Sequence, residues 1–475
     1  MKLVYGIKDR PKWGQLLLFA LQQVLAILAA TIAVPMVVQG QTGYHMSTSA
    51  ALFGAGVGTM VYLLFTKFKS PVFLGSSFAF LGSMFAAFSG GVSAALGYLG
   101  IIIGAVFAGL VYVGIAVVVK FAGVKWIDKI MPAVVIGPTV AIIGLSLAGN
   151  AVGDLMKGSV STCSPYIALL CGLVTLAVTI VCSVYGKKMF KMIPFVLGIL
   201  AGYIVAAIFT AFSYIDGAES LRVINFELFK EMKWYPDFAF VQLFSKDYGA
   251  GEFGSVGAYI GTIAVAYIPV AFVVFAEHIA DHKNISSIIE TDLLKDPGLT
   301  RTLLGDGVGS IAGALFGGCP NTTYGESVGC VAISGNASVI TIFVAAAMSI
   351  VFSFIAPFVT FLATIPSCVM GGVCVALYGF IAVSGLKMIQ PVDLNDNRNL
   401  FVVSVILIAG VGGMTLSIGK VTITEVACAL ILGILTNLLV NIKSKDGQKP
   451  AEAACETPAE QPAELEAEEQ TNEQL

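Results

Sequence analysis

Gly317-Gly318-Cys319-Pro320-Asn321-Thr322-Thr323-Tyr324-Gly325-Glu326-Ser327 lies inside a membrane-length apolar run. A continuous helix in lipid tolerates such a stretch poorly. Pro320 lacks an amide donor, the glycines weaken a helix, and a carboxylate at membrane depth is costly. Backbone that leaves the helix within a bilayer persists only where protein or a water-filled cavity satisfies its polar groups. The stretch therefore reads as a broken helix lining a binding site. The competing reading is a glycine-rich turn at a membrane surface.

The rest of the chain supports the first reading. Of 475 residues, 57% are hydrophobic and 12% charged, against about a quarter charged in a soluble domain. The chain reads as a polytopic membrane protein. Its net charge of −3 offers no basic face for nucleic acid. Nine scattered cysteines without a CxxC pair read as small apolar fillers rather than a disulfide framework or metal knuckle.

Apolar runs mark seven spans in the first half: Trp13–Val38, Ser49–Thr66, Val72–Phe88, Leu96–Val119, Met131–Leu147, Pro165–Val184 and Ile193–Phe212. A polar, aromatic-rich loop follows from Ser213 to Phe253. Seven more spans then appear: Val256–Phe275 or a little beyond, Leu303–Phe316, Thr322–Ile333, Val339–Phe358, Ile365–Ser384, Leu400–Leu416 and Ile423–Val440. The fold class is thus all-α, with about fourteen transmembrane segments. With the N-terminus inside, twenty of the 26 Lys and Arg residues fall on the cytoplasmic side. Only Lys157, Arg222, Lys230, Lys233, Lys246 and Lys420 fall outside, as the positive-inside rule asks. Both termini are then cytoplasmic. The Glu-, Ala- and Pro-rich tail 443–475 cannot build a core and is expected to be disordered.

An odd number of spans repeated twice makes the second set enter from the opposite face, which gives two inverted repeats. The third span carries Pro71-Val72-Phe73-Leu74-Gly75-Ser76-Ser77-Phe78-Ala79-Phe80. Its Pro, Gly and Ser residues make it the counterpart of the break in the tenth span. A substrate site is expected between the two, near the membrane midplane.

Ionisable groups at the spans are few. Glu326 lies in the second break. Glu277, His278, Asp281 and His282 form a polar end to the eighth span, with Glu277 and Asp281 on one helical face and the histidines on another. Periodicity leaves open whether Glu277 sits at the membrane surface or nearer its middle. His278 and His282 at i, i+4 resemble half of a zinc helix, but the HExxH order is absent, so no metal is assigned. Glu425 and His45 read as interfacial polar residues. No phosphate-binding GxxxxGK[ST] loop is present, which disfavours ATP-driven transport. The chain is not read as an enzyme, a metal-dependent one using His278, His282 and a carboxylate being the outlying alternative.

Four blocks carry a family resemblance: Leu74–Phe80, Ala276-Glu277-His278, Asp292-Leu293-Leu294-Lys295-Asp296-Pro297-Gly298-Leu299, and Pro320–Ser327. With these, nearly the whole chain resembles the nucleobase–ascorbate transporter family, on its bacterial uracil-permease side. The resemblance implies short strands interrupting spans 3 and 10 and a homodimer. It also implies a core domain (spans 1–4 and 8–11) and a gate domain (spans 5–7 and 12–14). The chain then divides at 1–147 (core, with the start of the gate), 148–253 (gate and external loop), 254–360 (core), 361–442 (gate) and the tail 443–475.

By the same resemblance, Glu277 and Glu326 are the substrate carboxylates. Phe78 stacks on the base, and Ser77, Tyr324 and Gly325 complete the site. Glu277, Asp281 and His278 are the proton-coupling candidates, the proton being the coupling ion and no other cofactor being expected. Asp281 stands where some uracil permeases have His, and Gln22-Gln23 where many relatives have Gln-His. The implied function is proton-coupled uracil uptake across the cell membrane by alternating access. Alternatives are a xanthine or other purine permease and an anion transporter of the same architecture, against which Glu326 in the break argues.

Overall fold

A computed structural model describes residues 3–442 apart from 124–125, 127–129, 188, 217, 246 and 419–420. The acidic tail 443–475 lies outside the described residues. The first half contains helices α1 (Trp13–Thr42), α2 (Thr48–Phe65), α3 (Leu81–Ala87), α4 (Ala94–Ala122), α5 (Ala133–Ser146), α6 (Ala148–Asp154), α7 (Pro165–Tyr185), α8 (Met189–Met192) and α9 (Pro194–Asp216), with strand β1 (Leu74–Ser76) before α3. Short 3-10 turns occupy much of the loop to Phe253. The second half contains α10 (Val256–Ile289), α11 (Leu299–Gly317), β2 (Asn321–Thr323), α12 (Gly325–Ser334), α13 (Val339–Phe352), α14 (Ala356–Ala363), α15 (Ser367–Ile389), α16 (Asn397–Val411), β3 (Leu416–Ile418), β4 (Val421–Ile423) and α17 (Glu425–Val440).

Eight of the described helices are long and apolar enough to cross a membrane, or nine if the bent pair α13–α14 is one span. The protein is therefore a multi-pass membrane protein. The helices pack in two groups. In one, α2 and α4 lie on α11, α4 also lies on α10, and α13 packs on α1 and α2. In the other, α5 packs on α15 and α16, α7 on α9 and α15, and α17 on α16.

Glycine makes the α2–α11 contact possible. A Cβ at Gly54 would stand 2.8 Å from the Gly313 carbonyl, and one at Gly58 would stand 2.8 Å from the Gly309 carbonyl. Small residues let helix backbones approach closely where lipid supplies no hydrophobic drive. The Asn321 side chain fills the remaining gap and donates to the Gly54 carbonyl at 3.0 Å.

Several span boundaries differ from the sequence reading. Val339–Phe358 is not one rod: the helix stops at Phe352, bends by 84° and resumes at Ala356. Pro357 in the first turn of α14 explains the restart, because its missing amide falls where helices have spare donors. The eighth span continues through the polar run to Ile289. Glu277 through His282 are thus interior to a 34-residue helix rather than its end. The thirteenth span stops at Val411, and Leu416 and Ile423 belong to an unforeseen antiparallel pair, β3 and β4. The eight cysteines among the described residues are free.

Candidate functional site

The two broken stretches meet. β1 and β2 pair antiparallel, Leu74 with Thr323, Gly75 with Thr322 and Ser76 with Asn321. The pairing extends through Ser77 N to Pro320 O (2.9 Å) and Tyr324 N to Phe73 O (3.2 Å). Backbone donors freed by the breaks are thereby satisfied within the protein. Tyr324 donates its hydroxyl to the Ser76 carbonyl at 2.8 Å. Its ring lies across Gly75, where any Cβ would collide with it.

A cavity of about 360 Å³ opens beside this crossing. Phe78 lines one side, and Thr322, Thr323, Tyr324, Gly325 and Glu326 line another. Glu277 and Asp281 enter from α10, while Val140, Phe195 and Phe380 close it from the second helix group. Thr323 Oγ1 donates to Asp281 Oδ2 at 2.7 Å, which ties the strand to α10. Glu326 stands in the first turn of α12, whose leading amides have no intrahelical acceptor. Gln23 from α1 donates to Ser327 Oγ, which accepts from Phe73 N at 3.1 Å. This clamps the start of α12 to the first span.

Two expected site residues lie elsewhere. Ser77 is buried and does not line the cavity, although its amide helps to hold the crossing. His278 points to the opposite face of α10, against Asp306 and Thr302 on α11. His282 stacks on His278 (4.0 Å between ring centroids) and accepts or donates at Tyr62, 2.6 Å away.

Some groups escaped the sequence reading. Asp306 is fully buried within an apolar span. Its signal was present, since a carboxylate in a membrane-length run is functional by default. Ser183, Lys191 and Asn284 line the cavity toward one end of α10. Toward the other end of α1, a second cavity of about 540 Å³ is lined by Gln41, Asn150, Thr424 and Glu425. Phe78 borders both cavities and meets Tyr378 edge-on at 5.5 Å. Gln41 donates to Asn150 at 3.1 Å across this second cavity, joining α1 to α6.

A fold of packed, partly broken spans around a cavity lined by their breaks is that of a membrane transporter. A family profile described as "Permease family" (Xan_ur_permease) matches residues 14–419. The chain belongs to this family, the nucleobase–ascorbate transporters that its motifs resemble. It is 39% identical to the uracil permease of Bacillus caldolyticus, covering 92% of this chain and 95% of the relative. It is 38% identical to the uracil permease of Bacillus subtilis, over 92% of this chain and 95% of that one. The uracil permease of Escherichia coli K12 is 33% identical, over 92% and 94%. Among solved structures, the transmembrane domain of a cyanobacterial bicarbonate transporter, BicA, matches with a TM-score of 0.55 at 15% identity, covering 91% of this chain and 99% of that one. The murine anion transporter Slc26a9 in its inward-facing state matches at 0.59 and 12%, over 92% and 69%. These two likenesses concern the fold alone.

Proposed function

We propose that this chain carries uracil across the cell membrane by proton-coupled symport. One observation carries the reading: three carboxylates, an open helix N-terminus and an aromatic face converge on one cavity large enough for a nucleobase. The names of its relatives give it the substrate.

Uracil is planar and uncharged, and its edge alternates N–H donors with carbonyl acceptors. Glu277 and Glu326 accept from the N–H groups, and a protonated carboxyl donates to a neighbouring carbonyl. Amides at Tyr324 and Gly325 donate to the other carbonyl, favoured by the helix dipole. Phe78 supplies a face for the ring. Such a site rejects analogues lacking those groups, because its polar atoms would be left unpaired. Asp281 and Glu277 take part in proton coupling. Neutralising a carboxylate lets the loaded site move through a low-dielectric region. Each charge moving with the field gains ~2.3 kcal/mol per 100 mV, which sustains about fifty-fold accumulation.

The wider mechanism follows. The antiparallel crossing of β1 and β2 supports fourteen spans in two inverted repeats. The two packing groups support a core of spans 1–4 and 8–11 that moves against a gate of spans 5–7 and 12–14. The charge asymmetry supports a cytoplasmic Lys191 and cytoplasmic termini, with the cavity facing inward. A homodimer is expected to anchor the gate. A xanthine permease is the second reading, disfavoured by the Asn321–Glu326 motif.

The test is uptake of labelled uracil into proteoliposomes under an inward proton gradient. Accumulation should appear and collapse with a protonophore. Uptake of xanthine but not uracil would overturn the substrate, and protonophore-insensitive accumulation would overturn the coupling.

A further inference from the structure

Behind the cavity, on the far face of α10, lies a second set of ionisable groups. His278 Nδ1 is 2.7 Å from Asp306 Oδ2, and Nε2 is 3.0 Å from Thr302 Oγ1. All three residues are fully buried. Thr302 has one hydroxyl hydrogen, which it directs to the Leu299 carbonyl at 3.1 Å. A carbonyl only accepts. Nε2 must therefore carry hydrogen to bond Thr302. The contact with Asp306 then needs a further proton, held either on Nδ1 or on Oδ2. Both arrangements leave the pair with no net charge. Losing that proton leaves one negative charge in a dry interior. The pair is thus a one-proton site by its hydrogen bonds alone.

A second observation adds to this. Asp306 Oδ1, Ser310 Oγ and the Tyr112 hydroxyl are buried and have no hydrogen-bond partner among the described residues. Ser310 stands one turn beyond Asp306 on the same face of α11. Tyr112 reaches in from α4, its ring centroid 6.3 Å from that of His278 and its Cβ beside Gly307. Buried polar atoms without partners in one corner of a protein call for a guest. A carboxylate oxygen and two hydroxyls suit one water molecule, which makes about three hydrogen bonds. They fall short of the roughly six oxygens that a hard cation gathers.

We propose that this corner is a second proton-binding site: one proton shared by His278 and Asp306, beside one water held by Asp306, Ser310 and Tyr112. Its charge is coupled to that of Glu277, the residue next to His278. The titratable groups coupled to it electrostatically are His282, and from the other face Glu277 and Asp281, on α10, Tyr112 on α4 and Tyr62 on α2. A negative charge on the pair opposes one on Glu277, so the two sites favour holding a proton between them. The role in transport rests on the symport reading, but the proton site does not.

The experiment counts protons taken up by purified, substrate-free protein in liposomes as pH falls, using an indicator dye. Asp306→Asn keeps a donor to Nδ1 that cannot ionise. It should take up one proton fewer than the wild type. Tyr112→Phe and Ser310→Ala should keep the wild-type count but move its midpoint by about half a pH unit. An unchanged count in Asp306→Asn would overturn the proposal. Should that variant not fold, unmoved midpoints in both of the others would overturn it. Sodium that lowers the count would replace the water with a cation and overturn it as well. Wild-type protein that carries no uracil would sink the transport reading while leaving the proton count decisive.

Discussion

The two faces of α10 differ in kind, although they alternate within six residues. Glu277 and Asp281 face a cavity shared with Phe78, Thr323 and Glu326. His278 and His282 face a dry interface with α2 and α11, each with defined partners. The wet face holds acceptors with spare capacity, which is what a ligand needs. The dry face ties its ring nitrogens into a network that joins α10 to α2 and α11. The same helical run thus sets a cavity-lining face and a hydrogen-bonded face about 100° of rotation apart.

Substitutions should expose this difference in descending order of effect. On the dry face, His278→Leu leaves Asp306 buried without its partner. It should cost about 3–5 kcal/mol of stability, seen as a marked fall in melting temperature of the purified protein. On the wet face, Glu277→Gln should leave melting nearly unchanged yet abolish proton-driven uracil accumulation, a fall of about fiftyfold, or ~2.3 kcal/mol. Gly75→Ala drives a methyl group into the Tyr324 ring. It should cost about 1–3 kcal/mol, read as weaker uracil binding, because the strand crossing must shift. Thr323→Val removes the hydrogen bond that orients Asp281. The uptake KM should rise about five- to thirtyfold, for ~1–2 kcal/mol. Lys191→Ala at the cavity mouth should change uptake by less than about 1 kcal/mol, and that effect should fade with salt.

Much of this was legible in the sequence because the signals were chemical and local. Pro320, the glycines and Glu326 cannot sit in a lipid-facing helix, so the break had to line a protein-enclosed site. The matching Pro71–Phe80 stretch pointed to its partner. What stayed hidden depended on three-dimensional packing. Periodicity leaves the place of Glu277 open because the polar run after it has no apolar period, and α10 continues where neighbours bond His278 and His282. Asp306 was overlooked between two glycines, whose small size is what lets α4 and α2 close around it. The α13–α14 bend is a question of where Pro357 meets the packing of α2, which hydropathy does not measure. The β3–β4 pair is too short for any alternation to announce it.

The most direct measurement is calorimetric uracil binding by purified protein carrying Glu277→Gln, set against His282→Gln. Loss of measurable binding in the first, with the second within about tenfold of the wild type, is the predicted result. Binding retained by Glu277→Gln, or lost equally in both, would contradict the division of α10 into a binding face and a supporting face.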